Sequence, residues 1–195
     1  MEKQTHKLFP TLVHYFKDVL SPAQLAIISR HCLELEAGEH GSFVGATKSS
    51  FSTDSRLIED LEVRYSALKG LTQGLAGLIR EYGRELGFDN VSMTNSWCNV
   101  QYPGSVLKHH VHPNAKVSAA LYIHADDKSS KLFLENPNTF LNFIRPDHYT
   151  ESMFEFAKFS PVPGDLILFP SWIKHGSGFE ANQSDHRIVI SINAN

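Results

Sequence analysis

The sequence predicts a mainly β fold with N-terminal helices, in a single domain spanning residues 1–195. Up to about residue 89, apolar residues recur every three or four positions, as on one face of a helix. From about residue 90 the period changes to two, in short segments rich in β-branched and aromatic residues that Pro, Gly, Asn and Asp separate. Several short strands of this kind are typical of a sandwich or a barrel. Residues 90–195 are therefore expected to form the core, and residues 1–89 a helical support.

Two helical segments are predicted in the support. The first begins after Ser21, which is suited to the N-cap and is followed by proline and by Gln24, the partner in a capping box. Residues 39–55 are rich in Gly, Ser and Thr and are expected to form a loop. A second helical run extends from Leu57 to Leu86, and three glycines weaken its middle, so it is one helix or two.

The last predicted strand, "HRIVISIN", alternates between two faces. Ile188, Ile190 and Ile192 share one face, and Arg187, Val189, Ser191 and Asn193 share the other. The isoleucine face needs a cover, which the helices are placed to provide. Arg187 then points into the strand domain, where a guanidinium requires an anionic partner. That partner is either a buried Asp or Glu or the carboxylate of a ligand.

The stretch "VLKHHVH" places three histidines within four positions. His110 and His112 have the spacing of one face of a strand, whereas His109 and His112 have the spacing of a helical turn. Pro113 ends any helix, and no helical stripe surrounds the motif, which favours His110 and His112. His109 is then expected on the opposite face, in a structural or exposed position.

A tight metal site needs a third ligand from elsewhere in the chain. "PSWIKHGSG" offers His175 just beyond an apolar strand. A histidine trio that leaves other coordination positions open suits a catalytic Fe, Zn, Ni or Cu site. The alternative is that each histidine is an ordinary surface or hydrogen-bonded residue.

Composition argues against other function classes. The net charge of −3 does not indicate the basic surface that nucleic-acid-binding proteins use to contact phosphates. No apolar run approaches the roughly 18 residues of a membrane span, and the start lacks the layout of a signal peptide. The two cysteines are expected to be reduced, and the protein to be cytoplasmic.

The order of these parts resembles the Fe(II)/2-oxoglutarate-dependent oxygenases, especially an uncharacterised, partly phage-associated group with an HxH…H…R pattern. Gly104 lies six residues before His110, as in the prolyl-hydroxylase-like branch, and Arg187 lies twelve residues after His175. The blocks "LENP", "PGDLILFPSWIKH" and "RIVISIN", and the opening "LFPT", are similar to that group in order and spacing. The resemblance covers most of the chain.

The resemblance implies a double-stranded β-helix (a cupin-like jelly roll) with helices packed on the outer face of one sheet. It implies that His110, His112 and His175 hold Fe(II), and that Arg187 pairs with the C5 carboxylate of 2-oxoglutarate. With O2, such an enzyme converts 2-oxoglutarate to succinate and CO2 while it oxidises a substrate, here expected to be a hydroxylation.

Two departures from the general family affect the site. His112 replaces the usual acidic ligand, which also argues against a halogenase because no coordination position is vacated for halide. Val189 stands where the family often has a serine that supports the cosubstrate carboxylate. The next hydroxyl on that face is Ser191, and Tyr102 and Tyr122 are further candidate donors.

Two other functions fit the same residues. One is a three-histidine jelly-roll dioxygenase that uses no 2-oxoglutarate, and the other is a non-catalytic metal-binding module. The substrate, a small molecule or a peptide, is not identified by the sequence. Loops 40–55 and 137–155 are the candidates for a lid, and a homodimer is the default oligomeric state.

Overall fold

A computed structural model describes residues 2–6, 9–35, 38, 40–138, 143, 146–150 and 153–195. The fold class is confirmed as mainly β, with few helices. The elements in chain order are β1 (His14–Phe16), α1 (Pro22–Glu34), β2 (Phe43–Val44), β3 (Thr47–Ser49), α2 (Leu57–Arg64), a 3-10 turn (Ser66–Leu68), α3 (Leu71–Glu85), β4 (Met93–Gln101), β5 (Val106–Leu107), β6 (Val117–His124), β7 (Leu132–Glu135), β8 (Phe156–Phe159), β9 (Leu166–Pro170), β10 (His175–Gly176) and β11 (Arg187–Ala194).

Helix α1 begins where its capping residues predict. At the start of α1 the Ser21 side chain accepts a hydrogen bond from the Gln24 backbone N–H, and the Gln24 side chain accepts one from Ser21. The second helical run is divided into α2, the 3-10 turn and α3. Gly70, at φ 88°, permits the left-handed backbone that precedes α3. None of the helices in the described residues is long and apolar enough to cross a membrane.

The strands form one large sheet and two small ones. The large sheet has the order β1-β9-β6-β11-β4-β3, a second has the order β10-β7-β8, and β2 pairs with β5. Every neighbouring pair is antiparallel. Strand β11 thus lies in the interior of the large sheet, between β4 and β6.

Residues 1–89 contribute strands as well as helices, which corrects the expectation of a loop at 39–55. Strands β2 and β3 lie in that segment, and β1 precedes α1. Each is only two or three residues long, so no periodicity of its own identifies it. Strand β2 pairs with β5, β3 with β4, and β1 with β9. Pairing between segments distant in sequence cannot be predicted from the local pattern of residues.

The two faces of β11 behave as the alternation predicts. Ile188, Ile190 and Ile192 are at most 1% exposed and pack in a core cluster with residues of the three helices. Burial of each such side chain contributes roughly 1.5–3 kcal/mol. Val189, on the other face, joins a second cluster between the large sheet and β7, together with Tyr122 and Leu132. The cavity that His110, His112 and His175 line opens on this second face.

Candidate metal centre

Three histidines converge at one end of the fold. Each of His110, His112 and His175 offers a ring nitrogen, and these atoms all lie within 4.8 Å of one another. Nitrogens that share one ion at about 2.1 Å are themselves about 3 Å apart, so small side-chain movements would bring all three into coordination. The trio could therefore hold a metal ion.

The backbone fixes two of these residues to each other. The His110 N–H donates to the His175 carbonyl and the His175 N–H donates to the His110 carbonyl, both at 2.9 Å. The bridge needs close approach at the neighbouring Gly176, where an added Cβ would lie 2.5 Å from His109 Cδ2. The N–H of His112 donates to the Ser171 carbonyl at 3.0 Å.

Hydrogen bonds at Nδ1 leave the other ring nitrogen of each histidine for a metal. Nδ1 of His110 donates to the Lys108 carbonyl, and Nδ1 of His175 donates to the Ile173 carbonyl, both at 2.8 Å. Nδ1 of His112 donates to Oδ1 of Asn193. When Nδ1 carries the proton, Nε2 presents its lone pair, which is the form that binds metal.

Asn193 is a site residue that the sequence did not single out, although strand alternation placed it on the Arg187 face. Its Oδ1 also accepts a hydrogen bond from the Ser118 hydroxyl at 3.0 Å, and Ser118 lies 2.8 Å from the Ser171 hydroxyl. The buried Ser118 hydroxyl thus holds the amide oxygen toward His112, and the amide oxygen orients the imidazole.

The environment keeps the three imidazoles neutral. Burial lowers the pKa of His175 to about 3, and the nearby His110 adds to the effect. Burial lowers the pKa of His110 to about 4, against a raising effect of the Lys108 carbonyl. Burial also lowers the pKa of His112, against the hydrogen bond to Asn193. At neutral pH all three are therefore in the form that coordinates a cation.

Arg187 lies in the same cavity and pairs with no carboxylate in the part of the chain that the structure describes. The residue is 5% exposed, and one amino group of its guanidinium donates to Oε1 of Gln101. Its Nε has no hydrogen-bond partner, and among the described residues no Asp or Glu forms an ion pair with it. Burial lowers the pKa of Arg187. A buried guanidinium so placed favours a ligand carboxylate as its partner, the second option that the sequence left open.

Tyr122 stands beside the guanidinium. Its ring lies 5.2 Å from the Arg187 guanidinium carbon, and its buried hydroxyl has no hydrogen bond of good geometry. Burial raises the pKa of Tyr122, so the hydroxyl remains a donor at neutral pH. The Tyr122 hydroxyl and the Arg187 Nε line one cavity and make no hydrogen bond of good geometry with the described residues, so they fit the anionic end of a bound molecule.

The structure brings most of the predicted site residues to one cavity. His110, His112, His175, Arg187, Tyr122 and Ser191 all line it. Ser191 accepts a hydrogen bond from Asn99 at 3.1 Å, which leaves its own proton free to donate. Tyr102 is not among the lining residues. It packs against the helix-side cluster, as the alternation of side chains along a strand predicts for the neighbour of Gln101.

His109 points away from the trio, in keeping with its predicted place on the opposite face. Its Nδ1 donates to Glu135 at 3.3 Å, and its ring meets the edge of Phe156 at a centroid distance of 5.6 Å. Of the two candidate lids, residues 40–55 border the site through His40 and Phe51. Within 137–155, residues 139–142, 144–145 and 151–152 lie outside the described residues.

A family model described as "Putative 2OG-Fe(II) oxygenase" matches residues 95–193, just over half of the chain. The chain belongs to the 2OG-Fe(II) oxygenase family. It is accordingly a 2-oxoglutarate-dependent oxygenase, an oxidoreductase whose cofactors are Fe(II) and 2-oxoglutarate. The histidine trio fits this metal because imidazole is a good ligand for iron.

Solved structures share the fold at low sequence identity. HygX from Streptomyces hygroscopicus with nickel and 2-oxoglutarate bound has a TM-score of 0.62 at 13% identity, over 95% of this chain and 83% of that one. A Trichoplax adhaerens prolyl hydroxylase in complex with a hypoxia inducible factor peptide fragment has a TM-score of 0.63 at 17% identity, over 93% and 82%. A Burkholderia pseudomallei oxidoreductase of the 2OG-Fe(II) oxygenase family has a TM-score of 0.61 at 11% identity, over 94% and 84%.

These neighbours have the double-stranded β-helix fold, and the mainly antiparallel sheets of this chain agree with it. No curated protein matches the sequence.

Proposed function

We propose that this oxygenase hydroxylates an organic substrate, with iron held by His110, His112 and His175 and 2-oxoglutarate anchored by Arg187. One observation carries the proposal: three neutral imidazoles face the same cavity as a buried guanidinium that pairs with no carboxylate of the described residues. The first group suits a divalent cation and the second suits a carboxylate, and 2-oxoglutarate is the ligand of this family that needs both.

Arg187 presents a planar fork of donors to the distal carboxylate of the cosubstrate, a geometry that lysine does not offer. Gln101 orients that fork through its hydrogen bond to the guanidinium. The unsatisfied Tyr122 hydroxyl donates to the same carboxylate, and Ser191 supplies a further hydroxyl on this face.

The charges at the metal alone would cancel. Three neutral imidazoles would leave Fe(II) with a charge of +2, which the dianionic cosubstrate neutralises, and the Arg187 guanidinium adds one positive charge at the distal carboxylate. An aspartate in place of His112 would lower both sums by one. When bound, iron and 2-oxoglutarate supply the oxidising chemistry, in which 2-oxoglutarate, O2 and a substrate C–H group yield succinate, CO2 and an alcohol.

The inner cavity is narrow, with about 40 Å³ of free space, which is room for a few water molecules. We therefore expect the side chains around Arg187 to move apart as the cosubstrate enters. The low exposure of the guanidinium and of the Tyr122 ring keeps bulk water from the carboxylate once it is bound.

Metal and cosubstrate binding test the assignment separately. Calorimetric titration with Mn(II) under nitrogen, followed by 2-oxoglutarate, should show two successive binding events. His175→Ala should abolish the first event, while the matched control His109→Ala should retain both. Arg187→Ala should retain the first and weaken the second. Unchanged Mn(II) binding in His175→Ala would contradict the proposed ligand set.

Succinate formation distinguishes a 2-oxoglutarate-dependent oxygenase from a three-histidine dioxygenase that does not use 2-oxoglutarate. With Fe(II) and O2, 2-oxoglutarate should be converted slowly to succinate even without substrate, and a three-histidine dioxygenase that does not use 2-oxoglutarate would form none. Hydroxylation is tested on any compound that accelerates succinate formation. Its product should gain one oxygen atom from ¹⁸O₂, and a product without that oxygen would refute hydroxylation.

A further inference from the structure

A second hollow, the outer groove, opens beside the metal centre. It has a volume of about 730 Å³ and is bordered by His110 and His112, which it shares with the inner cavity along with His40 and Trp97. Sites for small organic molecules commonly measure about 300–1,000 Å³. The groove therefore has the size and the position of a substrate site, and its lining indicates what kind of molecule it accepts.

The described lining of the outer groove carries no fixed charge. Its residues are His40, Gly41, Ser42, Phe51, Thr94, Asn95, Trp97, His110, Val111, His112, Pro113, Asn114, Ala115 and Asn193. Asp, Glu, Lys and Arg make up 20% of the whole chain, yet none of them lies in this set. A charged molecule that lost its hydration here would find no side-chain counter-charge, and desolvation of an unpaired charge is costly.

One wall of the outer groove is aromatic. Phe51 meets Trp97 edge-to-face at a centroid distance of 5.0 Å and meets His40 in the same way at 4.6 Å. Trp97 is 4% exposed, whereas Phe51 remains 45% exposed. Phe51 thus presents an apolar ring surface to the groove, on which a flat ring can pack.

A second set of groove residues carries amides with free hydrogen-bonding capacity. Asn114 makes no side-chain hydrogen bond to the described part of the chain. Within the described residues, the Asn95 side chain accepts only a long bond of 3.4 Å from the Thr94 hydroxyl, so its amide N–H groups remain available. A primary amide both donates and accepts, which complements neutral polar groups such as amides, ureas and hydroxyls.

We propose that the outer groove binds the substrate and that this substrate is an uncharged small organic molecule, with a flat ring that packs on Phe51 and a neutral polar group that Asn95 and Asn114 hydrogen-bond. The inference rests on the proposed function, because the groove is a substrate site only if the histidines hold the metal. It adds the substrate class, which neither the family nor the fold assigns.

Three probes with the same ring test the charge preference: indole-3-acetamide, indole-3-acetate and tryptamine, which are neutral, anionic and cationic at pH 7. Each is titrated into protein already loaded with Mn(II) and 2-oxoglutarate under nitrogen. The amide should bind about tenfold more tightly than either ion, which corresponds to about 1.4 kcal/mol. A charged probe that binds as tightly as the amide, or the absence of binding by all three, overturns the inference. Loading is measured first, so a failed metal or cosubstrate site is recognised separately.

A negative charge introduced into the outer groove should change which of the three probes binds most tightly. Asn95→Asp changes an amide to a carboxylate of nearly the same shape and should make tryptamine the tightest probe, about tenfold above the amide. Asn90→Asp makes the same change at an exposed residue outside the groove lining and should leave the order unchanged. An unaltered order in Asn95→Asp would show that the probes bind elsewhere.

A variant and a matched control test the contribution of the aromatic wall to probe binding. Phe51→Ala should weaken all three probes by a similar factor, because it removes the ring surface without changing charge. Phe179 is 99% exposed and does not line the groove, so Phe179→Ala serves as the control. Equal affinities in Phe51→Ala and the control would exclude Phe51 as the packing surface.

Discussion

Acidification should destabilise the metal-free protein, and His175, the most deeply buried of the three imidazoles, illustrates the size of the effect. Its pKa is about 3 in the folded protein because burial opposes the charged form, whereas an unfolded chain has a histidine pKa near 6.5. The unfolded state therefore takes up the proton first, and stability falls as the pH drops below 6.5 and continues to fall toward 3. Between pH 7 and pH 5 the loss from this residue amounts to about 2 kcal/mol, at about 1.4 kcal/mol per pKa unit. Burial also lowers the pKa of His110, to about 4, so this residue adds a loss in the same direction over the same pH range.

Urea unfolding in the presence of a chelator, at pH 7 and at pH 5, measures this loss. His175→Asn removes the titrating group and should reduce the difference between the two pH values by about 2 kcal/mol. His6→Asn, at an exposed residue, should leave the difference as in the wild type. If His175→Asn loses as much stability on acidification as the wild type, burial of a neutral imidazole at this position is not what limits acid stability.

Three further predictions concern residues around the trio. Arg187→Lys should weaken 2-oxoglutarate binding about tenfold or more in calorimetry while Mn(II) binding is retained, because an ammonium cannot form the two-pronged contact; equal cosubstrate affinity would contradict the fork. Asn193→Ala should weaken Mn(II) binding by about 10–100-fold, as expected when a histidine ligand loses its orienting partner, and wild-type affinity would show that His112 needs no such support. Gly176→Ala should lower the free energy of unfolding, measured by thermal unfolding, by about 1–3 kcal/mol, because the added Cβ would lie 2.5 Å from the His109 ring. An unchanged unfolding temperature would mean that the segments of His109 and Gly176 can move apart at little cost.

Patterns with a local period were predictable from the sequence. The alternation in "HRIVISIN" correctly separated the isoleucine face from the face of Arg187, because strand geometry alone fixes which residues share a face. The spacing of His110 and His112 likewise placed both rings on one side, where the structure brings His175 to meet them. The capping box of α1 is a signal of the same local kind.

Features that depend on pairing between distant segments were not predictable. Gln101 contacts Arg187 because β4 and β11 pair in a register that sets these two residues opposite each other, and Asn193 reaches His112 across 81 residues of sequence. Strand parity was available as a signal for Gln101, since Trp97, Asn99 and Gln101 share a face. The same parity would have directed Tyr102 to the helix side, where the structure places it.

The position of β11 has a consequence for how the enzyme assembles during synthesis. This strand comes after all the other described strands in chain order, yet it occupies an interior place in the large sheet, and it carries Arg187 at one end and Asn193 near the other. A nascent chain that still lacks it has neither the proposed anchor for the cosubstrate nor the amide that accepts the hydrogen bond of His112. If these assignments hold, we expect a product truncated before β11 to convert no 2-oxoglutarate to succinate.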